Sequence, residues 1–367
     1  MDITNLIFLD CTCDKNHKVI KNKAVGASEY QFYNLIYNFS CIKKNSIYCY
    51  NYTNNKNLEI DNIFYSDFKY LVDHPINKST RIIIQRFFPW EENLKYKVYN
   101  HNVYIWIHDI PDILIFVGNN EHVIKYYEIH QDSFKSYLKE FFIDKPNIRF
   151  IFNSYHCKNM FVQFLNKYDF IMEENRLIVI YNILYEDELI LVKKKIVPIN
   201  NKQLVYASAW QKGIQDVINL FENILKRDNT FTLVLMNPGY GMESYIEYKN
   251  NLIRKFKNNI IIYDALSKDK YSEVIKSSLC VLSSKFNETF GCVFAESYYL
   301  GTPVIADVNS GAVKEIIDNK FIIDYNNHDL VFTRLNEIYR DRQRCKIELS
   351  DNFLFQKNFM KWKHFIQ

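Results

Sequence analysis

Two glutamates with seven residues between them, Glu288 and Glu296, flank the point where a loop hands over to a helix. Gly291 stands at the handover and is suited to open the helix, with Cys292 and Val293 as its first residues. The start of a helix presents unpaired backbone N–H groups and the positive end of its dipole, which favours a phosphate. A carboxylate beside a phosphate would repel it, so these two glutamates need a different partner. Sugar hydroxyls qualify, because an ionised carboxylate only accepts hydrogen bonds and can take two O–H donors. On this reading Glu296 holds a ribose diol and Glu288 holds hydroxyls of a second sugar. A diphosphate lies between them on the N–H groups of Gly291, Cys292 and Val293. The ligand so described is a nucleotide sugar. The bland alternative is two solvated glutamates around an ordinary core helix.

The elements that must position these residues are legible as short apolar runs. Leu279–Leu282 precedes the loop as a buried parallel strand, and Gly301-Thr-Pro303 closes the helix before the next run, Val304–Ala306. The second half repeats this strand–helix rhythm, with further strands at Leu204–Ala207, Phe231–Leu235, Ile260–Tyr263 and Phe321–Ile323. Such spacing predicts a parallel α/β sheet. Gln211-Lys212-Gly213 opens the helix after the first of them, and Pro238-Gly-Tyr-Gly241 turns the chain after the second.

The first half shows candidate strands at Asn5–Leu9, Ser46–Tyr50, Arg81–Gln85, Val103–His108, Asn147–Phe152 and Leu177–Tyr181. Ligands of parallel sheets bind outside the carboxyl ends of the strands, which draws attention to His108. His108 also reads as a neutral histidine satisfied by Asp109 or the backbone. After the first strand, Lys15, Lys18, Lys21 and Lys23 make either an electropositive mouth for an anionic substrate or membrane surface, or a solvated loop. Residues 185–202 are polar and Lys-rich, with the character of an interdomain linker. The stretch from Cys345 to Gln367 carries aromatic residues at helical spacing and is expected to cross back onto the first domain.

A chain of 367 residues has room for two cores, and a net charge of +4 does not point to nucleic acid. No apolar run approaches a membrane span, and the N-terminus lacks a basic-then-apolar leader. The eight cysteines form no paired framework, so a reduced, cytoplasmic setting is expected, with peripheral contact to a membrane surface as an addition. Cys11, Cys13 and His17 lack a convincing fourth metal ligand. No Asp-x-Asp occurs either, so no metal is expected.

The run Glu-Thr-Phe-Gly-x4-Glu-x4-Gly-x-Pro-Val from Glu288 to Val304 resembles the Glu-x7-Glu signature of retaining GT-B glycosyltransferases of the family 4 (group 1) type. The resemblance covers the C-terminal half well and the N-terminal half in outline. It implies two Rossmann-like doubly wound domains facing across a cleft, at residues 1–190 and 191–344, with 345–367 returning to the first domain. It further implies transfer of a sugar from a nucleotide sugar to a glycan, lipid or protein acceptor, without a metal or other cofactor. Lys212 matches the family's catalytic lysine, Glu288 and Glu296 its sugar and ribose ligands, and His108 its donor-facing histidine. Phe290, Gly291, Cys292, Val293, Ser208 and Leu266 fall on its donor-binding positions, and Gly26 on a Gly-Gly-x-Glu turn of which only Gly26 is kept. Most relatives carry an arginine five or six residues before the lysine; Ala207 and Tyr206 stand there instead. Lys285 is a candidate to compensate. A catalytically silent nucleotide-sugar binder acting as a partner subunit is the alternative function.

Overall fold

The computed structural model describes residues 4–10, 16–18, 26–42, 45–52, 58–87, 92–118, 120–236, 245–345 and 348–366. Cys11, Cys13, Lys15, Lys21, Lys23 and the turn at 238–241 lie outside the described residues. The chain divides into two compact units: Ala27–Asn182 with the first strand and Phe359–Gln367 in one, Ile183–Asn358 in the other.

The first unit is built on eight strands: β1 (Thr4–Asp10), β2 (Asn45–Asn51), β3 (Leu58–Ile60), β4 (Ile63–Asp67), β5 (Arg81–Gln85), β6 (Asn102–Ile107), β7 (Ile148–Phe152) and β8 (Leu177–Val179). Their order is β3-β4-β2-β1-β5-β6-β7-β8. Every pairing is parallel except β3 with β4. Ile82–Ile84, Val103–Ile107 and Phe150–Phe152 are buried without alternation, as expected of strands covered on both faces. The strand order reverses between β1 and β5, where Asp10 is in register with Gln85. Trp362 of the helix Phe355–Ile366 is fully buried in this unit, its ring 4.6 Å from that of Trp106.

The second unit carries β9 (Asn200–Tyr206), β10 (Thr232–Met236), β11 (Ile260–Tyr263), β12 (Ser278–Leu282), β13 (Val304–Asp307) and β14 (Ile322–Ile323). All are parallel, in the order β11-β10-β9-β12-β13-β14. The winding reverses between β9 and β12, the place where a doubly wound sheet opens a crevice at its carboxyl edge.

Two expectations change. Residues 185–202, expected to have the character of an interdomain linker, include a helix, Glu186–Lys194, that buries Leu189 and Val192. Lys276 Nζ ties its end down by donating to Val192 O at 2.7 Å and Lys195 O at 2.6 Å. Its acidic first turn and basic last turn complement the helix dipole. Phe321 belongs to a short 3-10 turn, leaving a two-residue strand at β14.

Candidate active site

The reversal point of the second sheet is framed by the segments that follow β9 and β12. After β9 the chain makes the 3-10 turn Trp210–Lys212, with Trp210 buried. Tyr206, the last residue of β9 and itself fully buried, lies 3.2 Å through its hydroxyl from both Ala209 O and Lys212 O. The Ser284 hydroxyl, from beyond β12, also donates to Lys212 O. With its main chain fixed from both strands, Lys212 extends its ammonium to Glu288 and meets Oε1 at 3.0 Å and Oε2 at 2.9 Å. The side chains are 35% and 11% exposed respectively, so the carboxylate is the buried partner and the ammonium the accessible one.

Glu288 is held from below by the 3-10 turn Gly311–Glu315, where Ala312 N–H donates to Glu288 O at 2.8 Å. Gly311 has φ +66°, and a Cβ there would stand 2.4 Å from Glu288 O. The approach that seats Glu288 thus requires glycine. Asp307 anchors the same corner, accepting Tyr325 N–H and Asn309 N–H at 2.9 and 2.8 Å.

Gly291 opens the helix Cys292–Tyr299 from a left-handed conformation, φ +88°, and no side chain caps the helix. A Cβ at Gly291 would meet the Phe294 ring at 2.6 Å. Phe290 is buried against Phe353, Val293 is buried, and Cys292 is half-buried. Glu296 lies on the same face of this helix as Cys292, one turn on, and pairs with Lys268. Lys212, Glu288, the helix start and Glu296 are therefore brought together in one unit.

Other sequence candidates fall differently. Leu266 is half-buried in the loop between β11 and the helix Lys268–Ser277, and Ser208 is half-buried between β9 and the Lys212 turn. Lys285 sends its ammonium to Asn326 Oδ1 at 3.2 Å, while its N–H donates to Asp216. Gly26 immediately precedes the helix Ala27–Ser40.

In the first unit His108 follows β6 directly and is buried, its ring 4.4 Å from that of Trp106. Burial, aided by the Arg86 charge, holds it well below the usual histidine range, so the ring is neutral. Arg86, just past β5, adopts φ +63° and places its guanidinium on Glu29 (2.8 Å), on Asp109 (2.9 Å) and on the Ser28 hydroxyl. A cavity of about 110 Å3 lies beside Arg86 and Asp109, lined also by Ile107 and Ile115. Sequence reading missed Arg86, Tyr206, Ser284, Gly311 and Lys268. Only Gly311 had a local signal, in a Ser-Gly step after a predicted strand.

Among the described residues no group of three or more His, Cys, Asp and Glu side chains is arranged to hold a metal ion, and no helix is long and apolar enough to cross a membrane.

Residues 193–352 match the family model of glycosyl transferases group 1. The chain is 26% identical over 159 residues to alpha-monoglucosyldiacylglycerol synthase of Streptococcus pneumoniae, covering 42% of this chain and 36% of that protein. The match thus spans about a third of the relative's length. Among solved structures, Alr3699/HepE of Anabaena in complex with UDP-glucose aligns over 99% of both chains with a TM-score of 0.64 at 13% identity. A glycosyltransferase from Rickettsia africae aligns over 100% of this chain and 98% of its own, with a TM-score of 0.65 at 14% identity. The fold is GT-B.

Proposed function

We propose, from the match of residues 193–352 to the family model of glycosyl transferases group 1, that this protein moves a sugar from a nucleoside diphosphate sugar to an acceptor hydroxyl with retention of anomeric configuration. The observation that carries the reading is the Lys212–Glu288 pair at the reversal point of the second sheet, beside a helix start whose N-cap is glycine, with Glu296 one turn further on.

The chemistry follows from exchanging partners. A bound donor offers hydroxyls to the Glu288 carboxylate and phosphate oxygens to the Lys212 ammonium, so the lysine exchanges one anion for another and the glutamate exchanges an ammonium for neutral O–H donors. Breaking the anomeric C–O bond leaves its electron pair on the departing phosphate. Lys212 and the first amides of the helix Cys292–Tyr299 then stabilise the charge that develops there. No side chain is assigned as a covalent nucleophile. The acceptor oxygen attacks from the face the diphosphate leaves, and its proton passes to the leaving phosphate oxygen. Charge stabilisation by lysine and amides makes a divalent ion dispensable, so transfer is expected to persist in excess chelator.

Glu296 takes the ribose diol, and the loop through Leu266 faces the base. The acceptor is a glycan, lipid or protein, and we place the reaction in the cytoplasm, at the membrane surface when the acceptor is a lipid. One observation favours a second reading: Tyr206 and Ala207 occupy positions where relatives carry a phosphate-binding arginine, as in a silent nucleotide-sugar binder.

The test is a panel of UDP-, GDP- and ADP-sugars, scored first by melting shift and then by release of nucleoside diphosphate. Ligand at about a hundred times its Kd adds about 2.7 kcal/mol of stability. A shift accompanied by slow hydrolysis supports the transferase. A shift without product supports the silent binder, and no shift with any nucleotide defeats both.

A further inference from the structure

Glu296 is already occupied by a neighbour that the sequence did not mark. Lys268, first residue of the helix Lys268–Ser277, lays its ammonium on Glu296 Oε1. Tyr271, one turn on, supports both groups. Its ring lies 5.0 Å from Lys268 Nζ. Burial, together with the neighbouring Glu296 carboxylate, pushes its phenol well above its ordinary range. The Glu296 side chain is 14% exposed and that of Lys268 37%. A nearly buried carboxylate therefore carries an accessible ammonium on a flexible stem.

A permanent ion pair here would compete with the diol that Glu296 is meant to accept, so the lysine must yield when ribose arrives. The place it yields toward is defined by the helix. Cys292 and Glu296 are four residues apart on one face, so the residue that Lys268 pairs with starts about 6 Å along the axis from the first turn of the helix. That distance is within the swing of a lysine stem. The same diphosphate lacks a cation from positions 206–208, and Lys285 is turned to Asn326.

We infer that Lys268 is a second phosphate-binding cation of the donor site, one that neutralises Glu296 in the free protein and transfers to the diphosphate when the ribose diol displaces it. The inference rests on the nucleotide-sugar reading above. It gives the two glutamates parallel devices: each keeps a lysine that the ligand's phosphates can claim, Lys212 on Glu288 and Lys268 on Glu296.

A double-mutant cycle on nucleoside diphosphate binding separates this role from simple support of Glu296. Titration calorimetry would use UDP, GDP and ADP on wild type, Lys268→Met, Glu296→Gln and the double variant, with Lys268→Arg as the charge-conserving control. Ligand-free melting of each variant confirms folding. A direct phosphate contact predicts about tenfold weaker binding for Lys268→Met in both the wild-type and Glu296→Gln backgrounds, with Lys268→Arg near wild type. If Lys268→Met has no effect once Glu296 is replaced, the lysine acts only through Glu296 and the inference is overturned. No effect in either background overturns it as well. If the wild type binds none of the three nucleotides, the nucleotide-sugar reading itself falls and takes this inference with it.

Discussion

The two sheets reverse direction at equivalent places, between β1 and β5 in one unit and between β9 and β12 in the other, and each reversal carries a cation on a glutamate. The cations are not equivalent. Arg86 sits on a left-handed backbone with its planar fork spread over Glu29, Asp109 and the Ser28 hydroxyl. Such a group is pre-organised and expensive to move. Lys212 is a point charge on a flexible stem, with its main chain anchored by Tyr206 and Ser284 and its ammonium exposed beside Glu288. An ion pair of the second kind can be opened by a phosphate, and one of the first kind is part of the frame. On the proposed function, the difference suits the second unit to charge-handling chemistry and makes the Arg86 cluster part of the first unit's rigid frame.

Truncating the two cations separates the roles, and the larger effect is expected at Lys212, the cation proposed to act in transfer. Lys212→Ala is expected to lower transfer or donor hydrolysis by about a hundredfold or more, the scale of losing one group aimed at developing charge. The change also leaves Glu288, 11% exposed, without its ammonium, so a stability loss of about 1–2 kcal/mol accompanies it and turnover is the readout that separates the roles. Steady-state release of nucleoside diphosphate checks the first point and a melting curve the second. A Lys212→Ala enzyme with wild-type turnover would erase the contrast between the units.

Arg86→Ala should cost stability alone. It leaves the Glu29 carboxylate, whose side chain is 17% exposed, without its guanidinium and close to Asp109. Breaking a largely buried pair from one side costs about 3 kcal/mol, less here because both ends retain some solvent. A loss of about 2 kcal/mol in urea unfolding, with donor affinity retained in the folded protein, is the expected outcome. Unchanged stability combined with lost nucleotide binding would place Arg86 among the donor ligands instead.

How much of this was legible follows the same division. The buried parallel strands announced themselves as unbroken apolar runs, and Arg81–Gln85 and Ile260–Tyr263 match the observed strands residue for residue. Glu288, Gly291 and Glu296 lie on one contiguous loop and helix, so spacing alone related them. Lys212 needed a framework, because its partner lies 76 residues away. Lys268, Arg86, Tyr206 and Ser284 owe their roles to contacts between segments distant in sequence, and nothing in their neighbours hints at this. The β3–β4 hairpin was missed for a different reason. Its two-residue turn is Asp61-Asn62, both with positive φ, a combination that supports a tight hairpin but lacks the glycine that usually flags one. The helix Glu186–Lys194 escaped notice because two buried residues in nine give little periodicity.

The smallest effect tests the frame through its histidine. His108 is held below its ordinary value of 6.5 by burial and by Arg86. A folded-state pKa below the unfolded one means that the unfolded chain binds the extra proton first. The stabilising contribution is therefore complete above about pH 6.5 and is lost as the pH falls below it, by at most about 1.4 kcal/mol per pH unit. His74 and His101 are pushed the same way by burial and add their own slopes. The informative quantity is accordingly the difference between wild type and His108→Asn, followed by urea unfolding from pH 7.5 to pH 5. The variant should lose part of the acid sensitivity while keeping its nucleotide-dependent melting shift at pH 7.5, since the proposed donor ligands Lys212, Glu288 and Glu296 sit on the other sheet. Identical pH slopes would mean that His108 takes up its proton inside the folded unit, and the frame beside Arg86 would then be a solvated, adaptable surface instead of a fixed one.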